Sequence, residues 1–420
     1  MNPLKIMVYP HAMEIGGSQL NAIELAAAVR DLGHEVAVIG EPGPLVELVL
    51  RLGLEHLALP ADRRRPSPAV ARRLRALARE RSLDVVHGYE WPPALEAAAA
   101  TFHAPGTAAV CTIMSMAVAP FLPATMPLVV GTRALRDHTA RQRPGPVHLI
   151  EPPVDVHANT PDHPADEFRR AHGLDRDGTT MDIAVVSRLV PELKLEGVLT
   201  AVDVIGELAC TRPVRLIVAG DGTAREEVER HAATANARAG RRVVVLTGEL
   251  RDPRPAYAAA DVMLGMGGSA LRSLSFGRPL VVQGERGFWE LLTPDTVDLF
   301  LQQGWYGLGD GTGGAERLTA HLLRLLDDPR LRARLGQFGR DLAVERFSLQ
   351  QAGRTQVEIY RQAVADRRSG AGLLPRTVEG ARSAAGLLAY KVNRRYEAVR
   401  GTQRRDDFNA ATLAQTSLKR

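Results

Sequence analysis

IAVVSRLVPELKLEGVLTAVDVIGEL (residues 183–208), VRLIVAGDG (214–222), RRVVVLTGELRD (241–252) and AYAAADVMLGMGGSALRSLSFGRPLVV (256–282) set the fold. Short β-branched runs, Ile183–Val186, Arg215–Val218, Val243–Leu246, Asp261–Leu264 and Pro279–Val282, alternate with segments whose apolar residues recur at helical spacing. That alternation builds βαβ units, a parallel sheet with helices on its faces. Such sheets bind ligands at the carboxyl ends of their strands, and the polar residues fall there. Ser187 and Arg188 follow the first strand and Lys194 opens the next helix. Gly220-Asp221-Gly222 follows the second strand, and Gly265-Met266-Gly267-Gly268-Ser269 the fourth. Two cations and two glycine-rich turns suit an oxyanion with several charges, such as a diphosphate. Glycines admit backbone N–H groups, helix N-termini add positive potential, and Arg and Lys supply full charge.

The order and spacing of Ser187-Arg188-Leu189, Lys194, Ala219-Gly220-Asp221-Gly222, the 247–252 segment TGELRD, the Tyr257–Asp261 run and the 277–282 segment GRPLVV resemble the C-terminal half of the retaining glycosyltransferases of family 4. The resemblance extends through about residue 365. It implies an α/β protein of the GT-B fold, two Rossmann-like domains with parallel sheets facing across a cleft. Residues 1–160 would form the acceptor domain, 161–181 a linker and 182–348 the nucleotide-sugar donor domain. A helix over 349–367 would cross back to the first domain, leaving 369–420 as a basic, disordered tail.

At 420 residues the chain has room for two domains of ordinary size. Apolar content of 45% and charged content of 24% are those of a soluble globular protein. A net charge of +5 suits anionic substrates or a membrane surface. It does not suit nucleic acid, since no aromatic-basic interleaving accompanies it. Cys111 and Cys210 lie far apart and offer neither a disulfide framework nor metal-ligand spacing, which fits a reducing cytoplasm. The chain enters a strand directly after Met-Asn-Pro-Leu, with no signal sequence and no apolar run long enough to span a bilayer. The expected location is cytoplasmic, with peripheral contact at the inner face of the membrane as an option.

Along the first domain, Lys5–Tyr9 reads as a strand, Pro10–Gly17 as a loop containing His11, and residues 18–32 as a helix. Gly16-Gly17 lacks the dinucleotide fingerprint. It is either a tight turn feeding helix packing or, as the resemblance implies, part of the donor site. The arginine-rich helix over Ser67–Arg81 has an apolar stripe of Val70, Leu74 and Leu77. Its charges form either a solvated face or, by analogy with the family, a contact with anionic membrane. His87 and Glu90 fall at a strand's carboxyl end, where a buried structural histidine and a site residue are equally good readings. Asp84–His87, Ala108–Ile113, Pro127–Gly131 and Val147–Glu151 are further strands, and Asp166–His172 a short helix. Trp305–Gly314 reads as a lid or as a surface turn. Within the tail, Leu373, Val378, Leu387, Leu388 and Tyr390 fit a weak amphipathic helix.

The resemblance assigns Arg188 and Lys194 to the departing diphosphate, assisted by the backbone of Gly268, Ser269, Ala270 and Leu271 at a helix start. Gly16, Gly17 and Gly220 join them around the donor. His11, His87, Glu90 and Met114 line the acceptor side. No metal is expected, because these cations replace it and no Asp-x-Asp or histidine cluster is present. Asp221, between two glycines, shapes its turn. Two departures from the family stand out. Met114 occupies a position where the family often carries histidine. Leu264 and Arg272 occupy the places of its paired glutamates, the second of which binds ribose. Arg272 either grips a phosphate or packs outward as a helix arginine. The leading reading is a retaining transferase, metal-independent, moving sugar from a nucleotide donor to a lipid, polysaccharide or small-molecule acceptor. The alternatives are a non-catalytic partner of another transferase, or an epimerase or phosphorylase of the same architecture.

Overall fold

The β-branched runs assemble into two separate sheets. This computed structural model describes residues 2–61, 63–104, 106–174, 178–369 and 373–401. The chain divides into two units: residues up to Pro153 together with those from Leu349 onward, and Val154–Ser348.

The first unit runs β1 (Lys5–Tyr9), α1 (Gly17–Asp31), β2 (Glu35–Gly40), α2 (Leu45–Arg51), β3 (Glu55–Ala58), α3 (Pro68–Glu80), β4 (Val85–Tyr89), α4 (Trp91–Thr101), β5 (Ala108–Ile113), β6 (Leu128–Val130), α5 (Arg133–Ala140) and β7 (Val147–Leu149). Its strands lie in the order β3-β2-β1-β4-β5-β6-β7, all parallel. Strand β4 is buried at every position, and β1 at every position after Lys5. Burial on both faces is why these strands read as continuous apolar runs rather than alternating ones. Helix α4 begins at Trp91-Pro92-Pro93, where proline in the first turn gives up no helical hydrogen bond. The paired prolines disguise a helix start as a loop.

The second unit runs α6 (Asp166–His172), β8 (Met181–Val186), α7 (Leu195–Leu208), β9 (Val214–Ala219), α8 (Arg225–Ala239), β10 (Val244–Gly248), α9 (Arg254–Ala259), β11 (Val262–Gly265), α10 (Gly268–Ser275), β12 (Leu280–Gln283), β13 (Trp289–Leu291), α11 (Val297–Gln303), α12 (Gly314–Asp327) and α13 (Pro329–Arg346). The strand order is β10-β9-β8-β11-β12-β13, parallel except for β13, which pairs antiparallel with β12. Apolar layers pack on both faces of this sheet, one around Val198, Val202 and Leu322, the other around Tyr257, Phe276 and Trp305. The chain then returns to the first unit as α14 (Leu349–Ser369), whose Val357, Tyr360 and Val364 join the core formed by Ile23 and Val36.

Two expected boundaries change. The second unit begins at Val154 rather than near residue 160. Val154 and Val156 are already in its core, and the Val154 N–H donates to the Phe347 carbonyl at 2.7 Å. The expected linker 161–181 therefore belongs to this unit. Within it, Arg169 of α6 is buried against Asp182 (2.6 Å), and Arg215 reaches the other oxygen of that carboxylate (2.8 Å). Within the tail expected to be disordered, the weak amphipathic helix is present as α15 (Leu373–Val399), longer than its apolar residues indicated and docked on the first unit. Its Tyr390 ring packs against Phe121 and Trp91, the Ser383 hydroxyl donates to the Phe121 carbonyl at 2.8 Å, and Glu379 accepts from the Thr125 hydroxyl at 2.6 Å. Those contacts supply burial that the small, basic composition concealed. The rest of the expected tail, 402–420, lies outside the described residues.

Candidate functional site

In the second unit the polar residues gather where β8, β9, β11 and β12 end. The Ser187–Leu189 loop leaves β8 and lies directly on the turn that leaves β9: Leu189 donates to the Asp221 carbonyl at 2.8 Å, and Ala224 to the Leu189 carbonyl at 2.9 Å. Gly220 and Gly222 have φ of +146° and +154°. A Cβ on either would strike the carbonyl of Ser187 or of Leu189. The two glycines thus exist to let this loop approach the turn, and Gly220 is accounted for without a ligand. The Asp221 carboxylate accepts from the Gly222 N–H (2.7 Å) and from Arg225 (2.6 Å), so it does shape its turn.

Arg188 is exposed and Lys194, at the N-cap of α7, is half-buried. Burial, and then the neighbouring Arg188 guanidinium, push the Lys194 pKa from 10.5 down to about 8. Two cations kept close enough to repel, one of them partly desolvated, form a site short of negative charge.

Helix α10 begins at Gly268, after Gly267 at φ +55°. The first turn of a helix leaves N–H donors without intrahelical acceptors. Gly268 and Ser269 of that turn are half-buried, whereas Ala270 and Leu271 are fully buried in the core. Arg272 is half-buried. Its Nη1 lies 3.8 Å from where a Cβ on Gly268 would sit, so the guanidinium folds back over the N-terminus of its own helix. That adds a third cation beside the positive end of the dipole. Leu264, in the place of the family's first glutamate, is fully buried in β11 and offers no polar group.

Gln283, at the end of β12, ties the two helix starts together. Its side chain touches the position of a Cβ on Gly197 of α7 (3.1 Å), and its Nε2 meets the Met266 sulfur at 3.6 Å. It is buried, and its Oε1 has no hydrogen-bond partner. Glu196 accepts from the backbone N–H groups of Arg286 (2.9 Å) and Gly287 (2.6 Å), while Glu285 accepts from Tyr306. Burial, followed by the Glu285 carboxylate, drives the Tyr306 hydroxyl pKa well up. Sequence reading missed Gln283, Glu285 and Tyr306 because they sit outside any recurring motif. The Trp305–Gly314 segment is anchored rather than free: Trp305 is buried, stacks on Phe300 at 5.5 Å and accepts from the Gly267 N–H at 2.7 Å.

In the first unit, Gly16 is the N-cap of α1 and Gly17 its first residue. The Gly-Gly pair is therefore a helix start at the end of β1. His11 lies beside it, with its Nε2 3.2 Å from Gln19 Nε2. Glu90 is buried, with φ +66°, and acts as a clamp. One carboxylate oxygen accepts from the Met114 N–H (2.9 Å) and the Ser18 hydroxyl (3.2 Å), the other from the Ser115 hydroxyl (2.6 Å). Burial raises its pKa and these hydrogen bonds oppose the rise. Met114 is half-buried, its side chain against Gly131. His87 does not belong with the site residues. It is fully buried, with its nitrogens 2.6 Å from the Tyr360 hydroxyl and 2.8 Å from the Thr112 hydroxyl. Burial lowers its pKa to about 3, leaving a neutral core imidazole.

A cavity of about 1190 Å³ also lies in the first unit, beside Ala108, Pro127 and Pro146. These mark the amino ends of β5, β6 and β7, the opposite edge of the sheet from Glu90 and Gly17. Among the described residues, no group of three or more His, Cys, Asp or Glu side chains is placed to hold a metal, and no helix is long and apolar enough to cross a membrane.

The family profile "Glycosyltransferase Family 4" matches residues 15–158, and "Glycosyl transferases group 1" matches residues 180–328. The chain belongs to glycosyltransferase family 4. This family 4 chain is 26% identical over 208 residues to an alpha-D-kanosaminyltransferase of Streptomyces kanamyceticus, an alignment covering 47% of the chain and 48% of that relative. It thus spans about half the length of the curated relative it matches. A glycosyltransferase from Rickettsia africae superposes with a TM-score of 0.69 at 16% identity, covering 87% of the chain and 99% of the other. Anabaena HepE, solved in complex with UDP, superposes at 0.66 and 16% identity, covering 86% and 100%. Together with the two sheets, these likenesses establish the GT-B fold, two Rossmann-like domains.

Proposed function

We propose that the chain is a retaining glycosyltransferase that moves a sugar from a nucleotide-sugar donor to a hydroxyl acceptor, without a metal, in the cytoplasm. The observations that carry this reading are the Arg188–Lys194 pair after β8 and the N-terminus of α10 after the neighbouring parallel strand β11, both at the carboxyl edge of the second sheet. The bond from the sugar's anomeric carbon to the diphosphate oxygen breaks, and the diphosphate departs carrying the charge. Arg188, Lys194 and the amides of Gly268 and Ser269 take up that charge, lowering the barrier where it develops. Arg272 joins them in place of a ribose-binding glutamate. The acceptor oxygen bonds to the anomeric carbon on the face the diphosphate leaves, and a diphosphate oxygen receives the acceptor proton. This route needs no base from the first unit, consistent with methionine at position 114. The name of the Anabaena neighbour's ligand, UDP, supports a nucleoside diphosphate as the probe.

The burial of Leu264 favours a second reading, a non-catalytic partner that keeps the fold. UDP binding followed by calorimetry separates the two. We expect saturable UDP binding to the full chain, unchanged by EDTA and lowered at least about tenfold by Arg188→Ala, Lys194→Ala or Arg272→Ala, a loss of the size of one charge-assisted contact. Wild-type affinity in all three variants removes the diphosphate site, and no binding to any nucleoside diphosphate favours the partner reading.

A further inference from the structure

Ten large apolar side chains are exposed among the described residues, and five of them, Val378, Leu388, Val392, Tyr396 and Val399, lie on α15. They are not scattered. With Ala381 and Ala385, both exposed, they follow one another at spacings of three and four, the repeat of a single helix face. The opposite face is the one that docks: Glu379, Ser383, Gly386 and Tyr390 all meet the first unit around Phe121 and Thr125. From Leu388 to Val399 the outer stripe therefore faces away from the protein's own core, while Val378, Ala381 and Arg382 border the cavity of the first unit. Cations border it on both sides. Lys391 and Arg395 run along one flank, one turn apart, and Arg382 and Arg400 along the other, with the Arg400 guanidinium 4.2 Å over the Tyr396 ring.

We propose that α15 is a docking surface for an anionic lipid bilayer, lying in the plane of the interface with this stripe inserted. Apolar side chains flanked by long cationic ones match a bilayer surface: the stripe enters the acyl boundary while Lys and Arg extend to lipid phosphates. The flanking charge is what selects this occupant over a neutral apolar partner. Helix α3, the arginine-rich helix singled out from sequence, lacks the apolar half of that arrangement. Its Val70, Leu74 and Leu77 are buried inward, Arg75 is spent on the Ala99 and Ala100 carbonyls, and none of the exposed large apolar residues lies on it. The inference is independent of the transferase reading.

The test is co-sedimentation of the full chain with vesicles of phosphatidylcholine alone and of phosphatidylcholine with phosphatidylglycerol. The chain should pellet with the anionic vesicles and not with the neutral ones. The double variant Leu388→Glu/Val392→Glu should partition at least about tenfold more weakly, because both the apolar insertion and the charge balance are lost. Lys391→Glu/Arg395→Glu, which leaves the stripe and the docked face intact, should lose binding to anionic vesicles with an unchanged circular dichroism spectrum. Absence of binding, equal binding to neutral vesicles, or wild-type binding by both variants overturns the proposal. A concentration-dependent dimer abolished by the first variant, without vesicle binding, overturns it in favour of a second copy of this chain.

Discussion

Lys194 gives the proposed anion site a pH signature of two opposite signs. Its folded pKa of about 8 lies below the ordinary 10.5. Between those values the unfolded chain binds more protons than the folded one, so this residue makes stability rise with pH across that window. UDP affinity should do the reverse. It should be greatest below about pH 8 and fall by up to about tenfold per pH unit above it, as the ammonium that meets the diphosphate is lost. Lys194→Met should remove both dependences while preserving the fold. Calorimetric titrations across that range check the point, and a flat UDP affinity in the wild type would take Lys194 out of the site. The sequence placed Arg188 and Lys194 at a strand end and a helix start because position along a βαβ unit is a local property. It grouped Gly220 with the helix-start Gly268 around the donor, since a close-approach glycine looks like a ligand-binding turn until the neighbouring loop is known. Gln283 and Tyr306 were illegible for a similar reason, since only tertiary packing brings them to the helix starts.

The buried carboxylate of Asp182 connects three elements. It sits in β8, receives Arg169 from α6 and Arg215 from β9, and its own N–H donates to Asp261 beside β11 at 2.9 Å. Asp182→Ala would leave two guanidinium groups, both largely buried, without their counter-charge. Removing one partner of such a group costs about 3–5 kcal/mol, so a large loss of denaturant midpoint is expected for the second unit. Asp182→Asn, which keeps the volume and can accept from one arginine, should fall between that variant and wild type. A midpoint within error of wild type for Asp182→Ala would show that the cluster is solvated and contributes little. This cluster also explains why residues 161–181 looked like a linker. Their polar, proline-rich composition let the short helix Asp166–His172 be read but hid its attachment, which rests on one arginine and one phenylalanine, Arg169 and Phe168. Helix α15 was legible only as a weak amphipathic helix, because its docked face adds a glycine and a serine to Leu387 and Tyr390 rather than a run of leucines.

The alternation of strands and helices that begins at residue 183 needed only periodicity to be read, whereas the two-unit arrangement was implied by the resemblance to family 4, with chain length leaving room for it. Each unit carries its own sheet and its own core, and the chain passes between them at Pro153–Val154 and at Ser348–Leu349. Units with separate cores need not unfold together. The tryptophans are divided to report this. Trp91 belongs to the first unit, where it packs against Phe121 and Tyr390, whereas Trp289 and Trp305 are buried in the second. A Trp91→Phe chain should therefore follow the second unit alone, and a Trp289→Phe/Trp305→Phe chain the first. Because the proposed diphosphate contacts all lie in the second unit, UDP at about one hundred times its Kd should stabilise that transition by about 2.7 kcal/mol, several degrees in melting temperature. The Trp91 transition should stay where it is. An equal shift of both would mean that UDP binding draws on the first unit as well, and a shift of the Trp91 transition alone would place the nucleotide in the wrong half of the chain.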